Sequence, residues 1–301
     1  MAENFAEQHR NVEFSNNVTA TLREMPGMIY PLSGSGANYS GNKLARIENR
    51  FGRLKMQERT GRNADTNNTD IDSVARFIAP GRLADVAPML DIEDAQNTSV
   101  ELTSPLVGEV AQAAATYHDD MFVRGFFGNG YTGETGATAV PFKAANVIAH
   151  GGTSLTLAKL IQLREMMKLR HVNMQREKPI IIVQPKDVSA LLNINEYKSF
   201  DYNGSKPLVD GELKPWMGFR FIEFTPDAES LPTSFANMDT GVFRQLPVIV
   251  PSGMHRGTWL EFRGSIDERS DKGHSMQFWG AARSACVRTD EDKAFILQTQ
   301  G

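Results

Sequence analysis

The glycines after residue 127 are the residues whose spacing comes nearest to a known chemical motif. Gly128, Gly130 and Gly133 satisfy G-x-G-x-x-G, the pattern of a dinucleotide-binding loop. That loop works between a strand and a helix, where phosphate meets the positive N-terminus of the helix. Here a helix is predicted before the glycines and a strand after them, so the negative end of a helix would face the ligand. We therefore expect a flexible connector and no nucleotide site.

The same glycines also approach the phosphate-binding pattern G-x-x-x-x-G-K-[ST]. Gly128 and Gly133 match the two glycines of the pattern, and Thr135 matches its last position. Glu134, however, occupies the position where the pattern requires lysine, so the sequence has a carboxylate there. Glu134 would oppose the β- and γ-phosphates of a nucleotide instead of neutralising them. An enzyme that uses this loop on nucleotides is the rival hypothesis from another class, and calorimetry with ATP or NAD tests it.

Other reactive side chains lack the neighbours that catalysis or metal binding needs. His118, Asp119 and Asp120 are consecutive on a predicted helix, where adjacent side chains point in different directions. Helical zinc sites instead place two ligands four residues apart. Cys286 is the single cysteine and lies among apolar residues of a predicted strand, which favours a buried structural thiol. We predict no catalytic residue, no metal site, no cofactor and no enzymatic activity.

A long helix leads into the glycine run. Ser104 suits the N-cap of this helix and Pro105 its first turn. Apolar residues then recur every three or four positions as far as Met121, and Gly125 and Gly128 end the pattern. Alanines in its middle make the helix thin, so another element can approach its backbone closely. About six turns span roughly 35 Å, which makes this helix the spine of the fold.

The composition is that of a globular chain. Its 301 residues are 41% hydrophobic, which suits one large domain or two interleaved ones. No apolar run approaches the roughly 20 residues that span a bilayer, and the N-terminus lacks the apolar segment of a secretory signal. The formal net charge of −4 argues against a sequence-independent nucleic-acid binder, which needs a basic excess. A single cysteine fits a reducing cytoplasm.

A long hairpin is predicted between Arg46 and Leu90. Residues 50–59 alternate loosely as one strand, residues 74–80 form the return strand, and a polar tip joins them. Such a hairpin buries too little surface to be stable alone. It is therefore either a flexible flap or an arm that lies on a neighbouring subunit and pairs charges there. The candidate inter-subunit contacts are Arg50, Arg53, Lys55, Arg59, Arg62, Asp65, Asp70 and Asp72.

The rest of the chain alternates between helical and strand patterns. Thr156 is the predicted N-cap of a second helix, which is apolar over more than half its circumference and should have contacts on several sides. Residues 180–183 predict a strand buried on both faces. Residues 277–288 predict a long strand, with residues 295–297 returning along it. This order predicts an α+β fold in which one lobe is inserted into the other.

The order of these features resembles the major capsid proteins of tailed bacteriophages, over roughly residues 45–301. Four features carry the resemblance: the aromatic and proline segment 77–80, the acidic stretch 91–94, the helix from Ser104, and G-x-x-x-T-G-x-x-G from Gly128 to Gly136. The later stretches are similar too: the helix within 155–172 leading into IIIVQPKDVSALL, then DYNGSKPLVDGELKPWMGFRFIEF and GAARSACVRTDEDKAFIL.

That family's Hong-Kong-ninety-seven-type coat fold implies four parts for this α+β chain. They are an N-terminal arm (1–45), an extended E-loop hairpin (46–90), a P-domain with the spine helix (91–182 and 273–301) and an inserted A-domain (183–272). Two departures from the family lead to expectations of their own. No separate leader domain precedes the arm, so a scaffold would be another protein. Lys55 has no identifiable partner, so we expect no covalent Lys–Asn crosslink.

The resemblance implies a coat protein that self-assembles, as hexamers and pentamers, into the icosahedral head shell around double-stranded DNA. The implied location is the virion, with assembly in the host cytoplasm and no membrane contact. Scaffolding, portal and decoration proteins are the further partners implied, and the DNA is enclosed without sequence-specific binding. An encapsulin-like compartment that encloses enzymes is the alternative within the same fold. A tail or host-attachment protein, which would form trimers or fibres, is the alternative outside it.

Overall fold

A computed structural model describes most of the chain between Gly27 and Gln300. The described residues are 27–41, 43–51, 56, 58, 61–62, 73–91, 103–198, 213–224 and 237–300. Within these ranges the chain forms three β-sheets with helices packed against them. No helix in the described part is both long enough and apolar enough to cross a membrane.

The described helices are α1 (Thr103–Phe127), α2 (Leu157–Leu169), α3 (Pro185–Asn193) and α4 (Asn195–Lys198). The predicted long helix, for which we keep the name spine helix, is α1, and its 25 residues span about 37 Å. The helix begins at Thr103, so Ser104 lies inside it and is not its N-cap. Thr156 caps α2 as predicted, because its hydroxyl accepts a hydrogen bond from the N–H of Lys159.

The strands form three sheets. The first sheet has the order β1-β12-β13-β4, with β5 also pairing with β13; the second is β10-β9-β11-β14-β8; the third is β2-β3-β6-β7. The strand bounds are β1 Ser35–Asn38, β2 Ala45–Phe51, β3 Ser73–Ile78, β4 Ala84–Val86, β5 Met89–Leu90, β6 Gly130–Thr132, β7 Thr138–Val140, β8 Val147–Ile148, β9 Ile180–Val183, β10 Arg220–Glu223, β11 Phe243–Ile249, β12 Met254–Arg269, β13 Ser275–Arg288 and β14 Ala294–Gln300.

The spine helix packs closely on the first sheet, with Gly125 against the backbone of β13. Ala111 and Ala115 of α1 are buried, as the thin middle of the helix predicts. A Cβ added at Gly125 would lie 2.3 Å from the carbonyl oxygen of Cys286 in β13. A Cβ added at Gly280 in β13 would lie 2.6 Å from Val110 of the helix. Glycine is therefore required on both sides of this contact.

The second sheet carries the main apolar core. Every residue of β9 is buried, which confirms the predicted strand with two covered faces. Helix α2 packs Leu160, Leu163 and Met167 into this core. The prediction that α2 has contacts on several sides is wrong for the isolated subunit, because Ile161 is 51% exposed and Leu169 is 72% exposed.

The predicted pairing of the last two strands is also wrong. β13 pairs with β12, β4 and β5, whereas β14 lies between β11 and β8 in the second sheet. Residues 289–293, which include the 3-10 turn Glu291–Lys293, carry the chain from one sheet to the other. The physical reason is burial: residues 294–297 are all buried, so β14 needs apolar layers on both faces, which the interior of the second sheet supplies.

The third sheet holds the base of the predicted hairpin. β2 and β3 are antiparallel, with Arg46 opposite Phe77 and Arg50 opposite Val74. The hairpin is therefore confirmed at its base, where β2 (Ala45–Phe51) begins five residues before the predicted first strand of residues 50–59. Most of residues 52–72 lie outside the described ranges.

The glycine run forms part of the same sheet. Residues 130–132 form β6, residues 138–140 form β7, and the two strands pair with each other. Gly133 and Gly136 have φ angles of 97° and 76° in the connecting bend, which only glycine adopts without strain. The expectation of a flexible connector is wrong, because this stretch is a β-hairpin joined to β3 through Tyr131 opposite Phe77.

Candidate assembly site

The carboxylate of Asp119 fixes the start of the described chain to the spine helix. Its Oδ2 accepts from the N–H of Met28 at 2.9 Å, and its Oδ1 accepts from the N–H groups of Ile29 and Tyr30 at 3.0 and 2.8 Å. Gly27 lies so close that an added Cβ would be 2.8 Å from Oδ1. One side chain of α1 thus holds three consecutive amides of the segment that we name the arm root, residues 27–39.

The protonation of Asp119 reflects two opposing effects. Burial raises the pKa of Asp119 above its ordinary value, while the three N–H donors favour the carboxylate and act in the other direction. A hydrogen bond to a charged group contributes about 1.5–3 kcal/mol. Removing the arm root would therefore leave a buried carboxylate without its donors, so root and helix stabilise each other.

Two histidines attach the arm root at further points. In β12, His255 has Nδ1 2.9 Å from the hydroxyl of Ser35 and Nε2 2.9 Å from the hydroxyl of Tyr39. In α1, the ring of His118 lies 5.0 Å from the ring of Tyr30. Burial lowers the pKa of both histidines, so the packed state favours their neutral forms.

Strand pairing completes this attachment. β1 lies parallel to β12, with Ser35 opposite His255 and Asn38 opposite Thr258. Beyond the strand, the N–H of Tyr39 donates to the carbonyl of Thr258 at 2.8 Å. The arm root is therefore an edge strand of the first sheet as well as a ligand of the spine helix.

The base of the hairpin is fixed to the turn between β13 and β14. Arg76 in β3 donates from Nε to the carbonyl of Thr289 at 3.3 Å, and its guanidinium lies 3.7 Å from the carboxylate of Glu291. Next to it, the hydroxyl of Thr132 donates to the carbonyl of Ala75 at 2.9 Å. These contacts set the place and direction from which the hairpin leaves the body.

Arg288 caps the C-terminal end of the spine helix, and its side chain is fully buried. Its guanidinium donates to the carbonyls of Phe126 and Gly128, at 2.6 Å for Gly128, and to the carboxylate of Glu291 at 2.8 Å. A cation is favourable at the negative end of a helix. Because Glu291 also faces Arg76, one carboxylate joins the helix end to the hairpin base.

The side chains considered for chemistry have structural partners instead. Asp120 is buried and forms an ion pair with Arg124, with Oδ2 and Nε 3.0 Å apart. Cys286 is buried against Gly125, and burial raises the pKa of its thiol. In the part of the chain that the structure covers, no three His, Cys, Asp or Glu residues lie close enough to hold a metal ion.

The predicted contact residues of the hairpin lie at or beyond its base. Arg50 is in β2, and Arg62 is exposed in a turn. The other six, which are Arg53, Lys55, Arg59, Asp65, Asp70 and Asp72, lie outside the described residues.

Sequence reasoning missed the anchors Asp119, Arg288 and Glu291 as structural residues. Asp119 and Arg288 act on chain segments that lie about 90 and 160 positions away. The signal that marks them is a charged residue on the apolar face of an element, because such a charge must find a partner inside the fold.

The fold is that of viral coat proteins. The capsid structure of cyanophage P-SCSP1u matches with a TM-score of 0.62 at 14% identity, over 90% of this chain and 87% of that chain. The head structure of Helicobacter pylori bacteriophage KHP40 matches with a TM-score of 0.65 at 11% identity, over 88% of both chains. A virus-like particle from Pyrococcus furiosus matches with a TM-score of 0.56 at 8% identity, over 95% of this chain and 97% of that chain.

The sequence matches the model of the phage capsid protein family over residues 8–300, so the chain belongs to that family. A comparison with curated protein sequences found no match. The chain is thus a major capsid shell protein of mixed α and β structure, and it belongs in the virion. This confirms the resemblance that the order of its sequence features indicated.

Proposed function

We propose that this chain builds the icosahedral head shell of a tailed phage, as hexamers and pentamers that enclose double-stranded DNA. The observation that carries the proposal is the family match from residue 8 to residue 300, which includes the arm and the hairpin as well as the body. A closed shell repeats one set of contacts, so its subunits need large complementary edges and no pocket. An anchored arm and a hairpin with a fixed base supply such edges.

The four parts of the coat fold give the proposed division of the chain. Residues 1–45 are the arm, 46–90 the E-loop hairpin, 91–182 with 273–301 the P-domain, and 183–272 the inserted A-domain. The long helix α1 supports the assignment of the P-domain.

The hairpin is the proposed contact between neighbouring subunits. Its charged residues Arg50, Arg53, Lys55, Arg59, Arg62, Asp65, Asp70 and Asp72 pair with charges on the next copy. Support comes from the hairpin base, which Arg76 and Glu291 hold to the body. A fixed base lowers the entropic cost of placing the tip on a partner.

Other partners follow from the role of a coat. Scaffolding, portal and decoration proteins bind the shell, and assembly takes place in the host cytoplasm. The DNA is enclosed without sequence-specific contacts, which suits the net charge of −4 because a strongly basic wall would trap the genome. The protein has no enzymatic role, as expected of a member of a structural protein family.

The test is to express the chain with its neighbouring phage genes, including a scaffold, and to image the soluble product by negative-stain electron microscopy. We expect uniform closed shells that protect double-stranded DNA from nuclease when packaging proteins are present. Deletion of residues 59–72 should leave folded subunits that fail to close shells, because it keeps β2 and β3 but removes the tip. Discrete monomers in the presence of scaffold, or normal shells from the deletion, would contradict the proposal.

A compartment that encloses proteins is the second candidate. A virus-like particle from Pyrococcus furiosus shares the fold over nearly the full length of both chains, so the fold is compatible with a particle other than a phage head. The contents of purified shells separate the two functions. Protein cargo without nucleic acid would favour the compartment, whereas nuclease-protected DNA would favour the phage head.

A further inference from the structure

The outer edge of β12 loses its neighbour partway along the strand. As far as Thr258 the edge pairs with β1, and the N–H of Tyr39 donates to the carbonyl of Thr258 just beyond that pairing. Two register shifts follow, and from Arg263 to Arg269 the strand pairs regularly with β13. Among the described residues, no strand lies on the other side of residues 263–269. We name this stretch the β12 edge.

The direction of the backbone groups on the β12 edge follows from the pairing of β13. Phe278 donates its N–H to the carbonyl of Pro88 at 2.9 Å, away from β12. Residues directly opposite each other in an antiparallel pair turn their N–H and C=O groups either both towards the partner strand or both away from it. Ile266 is opposite Phe278, so its backbone groups point out of the sheet, and those of Gly264 do the same. These donors and acceptors are available to a further strand.

The side chains between these two residues and beside them carry opposite charges. Arg263 and Asp267 are both exposed, and no charged group in the described part of the chain forms an ion pair with either. Asp267 accepts a hydrogen bond from the hydroxyl of Ser265 at 2.7 Å, so these two side chains lie on the same face of the strand. Four residues of strand separate Arg263 from Asp267 by about 13 Å, which is too far for them to pair with each other.

We propose that the β12 edge pairs antiparallel with the β12 edge of a second copy across a two-fold axis. Ser265 lies opposite Ser265 of the second copy, so Arg263 of each chain lies opposite Asp267 of the other. Gly264 and Ile266 form the hydrogen-bonded pairs, which supply about four backbone hydrogen bonds around the axis. The charged pairs fall at the positions without backbone hydrogen bonds, where opposing side chains are closest.

The charges select this register over its neighbours. A shift by two residues keeps the alternation of the backbone groups, so such registers compete with the proposed one. In one direction the shift places Arg263 opposite Arg269, and in the other it places Asp267 opposite Glu261. Like charges directly opposite each other are destabilising. A shift by one residue would oppose outward-pointing backbone groups to inward-pointing ones and would form no ladder.

A second β12 edge fits better than the hairpin tip of a neighbouring subunit. Residues 63–72 carry three aspartates and no Lys or Arg, so they would place acids opposite Asp267. The inference deepens the proposed function, on which its place in the shell rests. A closed icosahedral shell contains two-fold axes, and a self-complementary strand joins two subunits at such an axis through the same patch on each.

Charge reversal tests the pairing in the full chain expressed with its scaffold. Arg263→Asp and Asp267→Arg each place like charges opposite each other, so the yield of closed shells should fall at least tenfold. The double variant restores opposite charges and should return the yield to within threefold of the original chain. The matched control, Asp271→Asn, removes an exposed charge just beyond the strand and should leave the yield within twofold. Normal yields from both single variants, or no recovery in the double variant, would overturn the inference.

A cysteine at the axis identifies the partner strand. Ser265→Cys places two thiols at a pair whose Cα atoms lie about 4.5 Å apart, within the range of a disulfide. Mild oxidation of shells should then give covalent dimers on a non-reducing gel. The control is Glu268→Cys, exposed on the same strand but about 20 Å from its equivalent, and it should remain monomeric. The native Cys286 is buried.

The cysteine experiment also separates this inference from the proposed function. Normal shells of Ser265→Cys that give no covalent dimers would overturn the strand pairing and leave the proposed function standing. Covalent dimers from subunits that form no shells, even with scaffold present, would refute the proposed function and support the strand pairing.

Discussion

Asp187 and Arg244 form a doubly hydrogen-bonded ion pair that is closed to solvent. The guanidinium of Arg244 donates from Nε to Oδ2 and from Nη2 to Oδ1, both at 3.0 Å, and the hydroxyl of Thr299 donates to the same Oδ1 at 2.8 Å. Asp187 lies in α3, Arg244 in β11 and Thr299 in β14. One carboxylate therefore ties a helix to two strands of the second sheet.

Loss of the Asp187 carboxylate should lower the free energy of unfolding substantially. Asp187→Ala leaves the buried Arg244 without a counter-charge, and breaking a buried pair in this way costs about 3–5 kcal/mol. Denaturant unfolding of unassembled subunits measures the change. The matched control is Asp271→Asn, which removes an exposed ion pair with Arg269 and should have no measurable effect. Equal stability of both variants would show that the buried pair is not needed.

Asp119→Ala should release the arm root without unfolding the helix that carries it. Each lost hydrogen bond to the carboxylate is worth about 1.5–3 kcal/mol, and about 1.4 kcal/mol corresponds to a tenfold change in an equilibrium. In a hydrogen-exchange measurement, the amides of Met28, Ile29 and Tyr30 should therefore exchange at least about tenfold faster. The amides in the middle of α1 should keep their protection. Glu109→Ala, at an exposed position of the same helix, should change neither. Uniform loss of protection would mean that Asp119 stabilises the whole fold instead.

Substitution by alanine should change the stability of the subunit in opposite directions at two glycines of the spine helix. Gly125→Ala places a Cβ against the carbonyl of Cys286 and must push the helix off β13, so the subunit should be destabilised or fail to fold. Gly108 has open space at the same test position, so Gly108→Ala should stabilise by about 0.5–1 kcal/mol through helix propensity. Thermal unfolding of the two purified variants compares them. Equal effects would show that the close approach at Gly125 can relax.

Asp120 should make stability depend on pH in the reverse of the usual sense for a carboxylate. Burial raises the pKa of Asp120 to about 6, against the opposing effect of Arg124. A raised folded-state pKa favours the protonated form, so the stabilisation is present at low pH and lost as pH rises through about 6.

Asp120→Asn should therefore raise the unfolding midpoint at pH 7 and leave it unchanged near pH 4, where the carboxyl is already neutral. The lost ion pair with the half-exposed Arg124 subtracts only a little from this gain. Midpoints measured across this pH range check the prediction. A gain of equal size at both pH values would show that Asp120 ionisation is not its cause.

Local patterns in the sequence predicted the elements well. The apolar spacing and terminal glycines place α1 almost to the residue, and Thr156 caps α2 where its position before an apolar run indicates. The continuous apolar run of β9 is a strand with both faces covered. In each case the information lies within one element, where helix periodicity and capping act directly.

The contacts between distant elements were not predictable in this way. The run from Ala294 to Leu297 indicates burial but not which sheet supplies it, and the expected pairing with β13 failed for that reason. The spacing of Asp119 argued against a metal site but did not reveal its partners, which are backbone amides that carry no sequence signal of their own. Arg288 likewise binds carbonyls at the far end of α1. The tertiary fold selects these partners.

The pairing of β1 with β12 also sets an order of events during synthesis. Residues 35–38 leave the ribosome more than 200 residues before their partners at positions 255–258. Chains are made at about 5–20 residues per second, so the arm root waits for tens of seconds at the slower rate before its strand can form. Strand β1 is therefore made long before its partner, and the first sheet gains this edge only when the body is nearly complete.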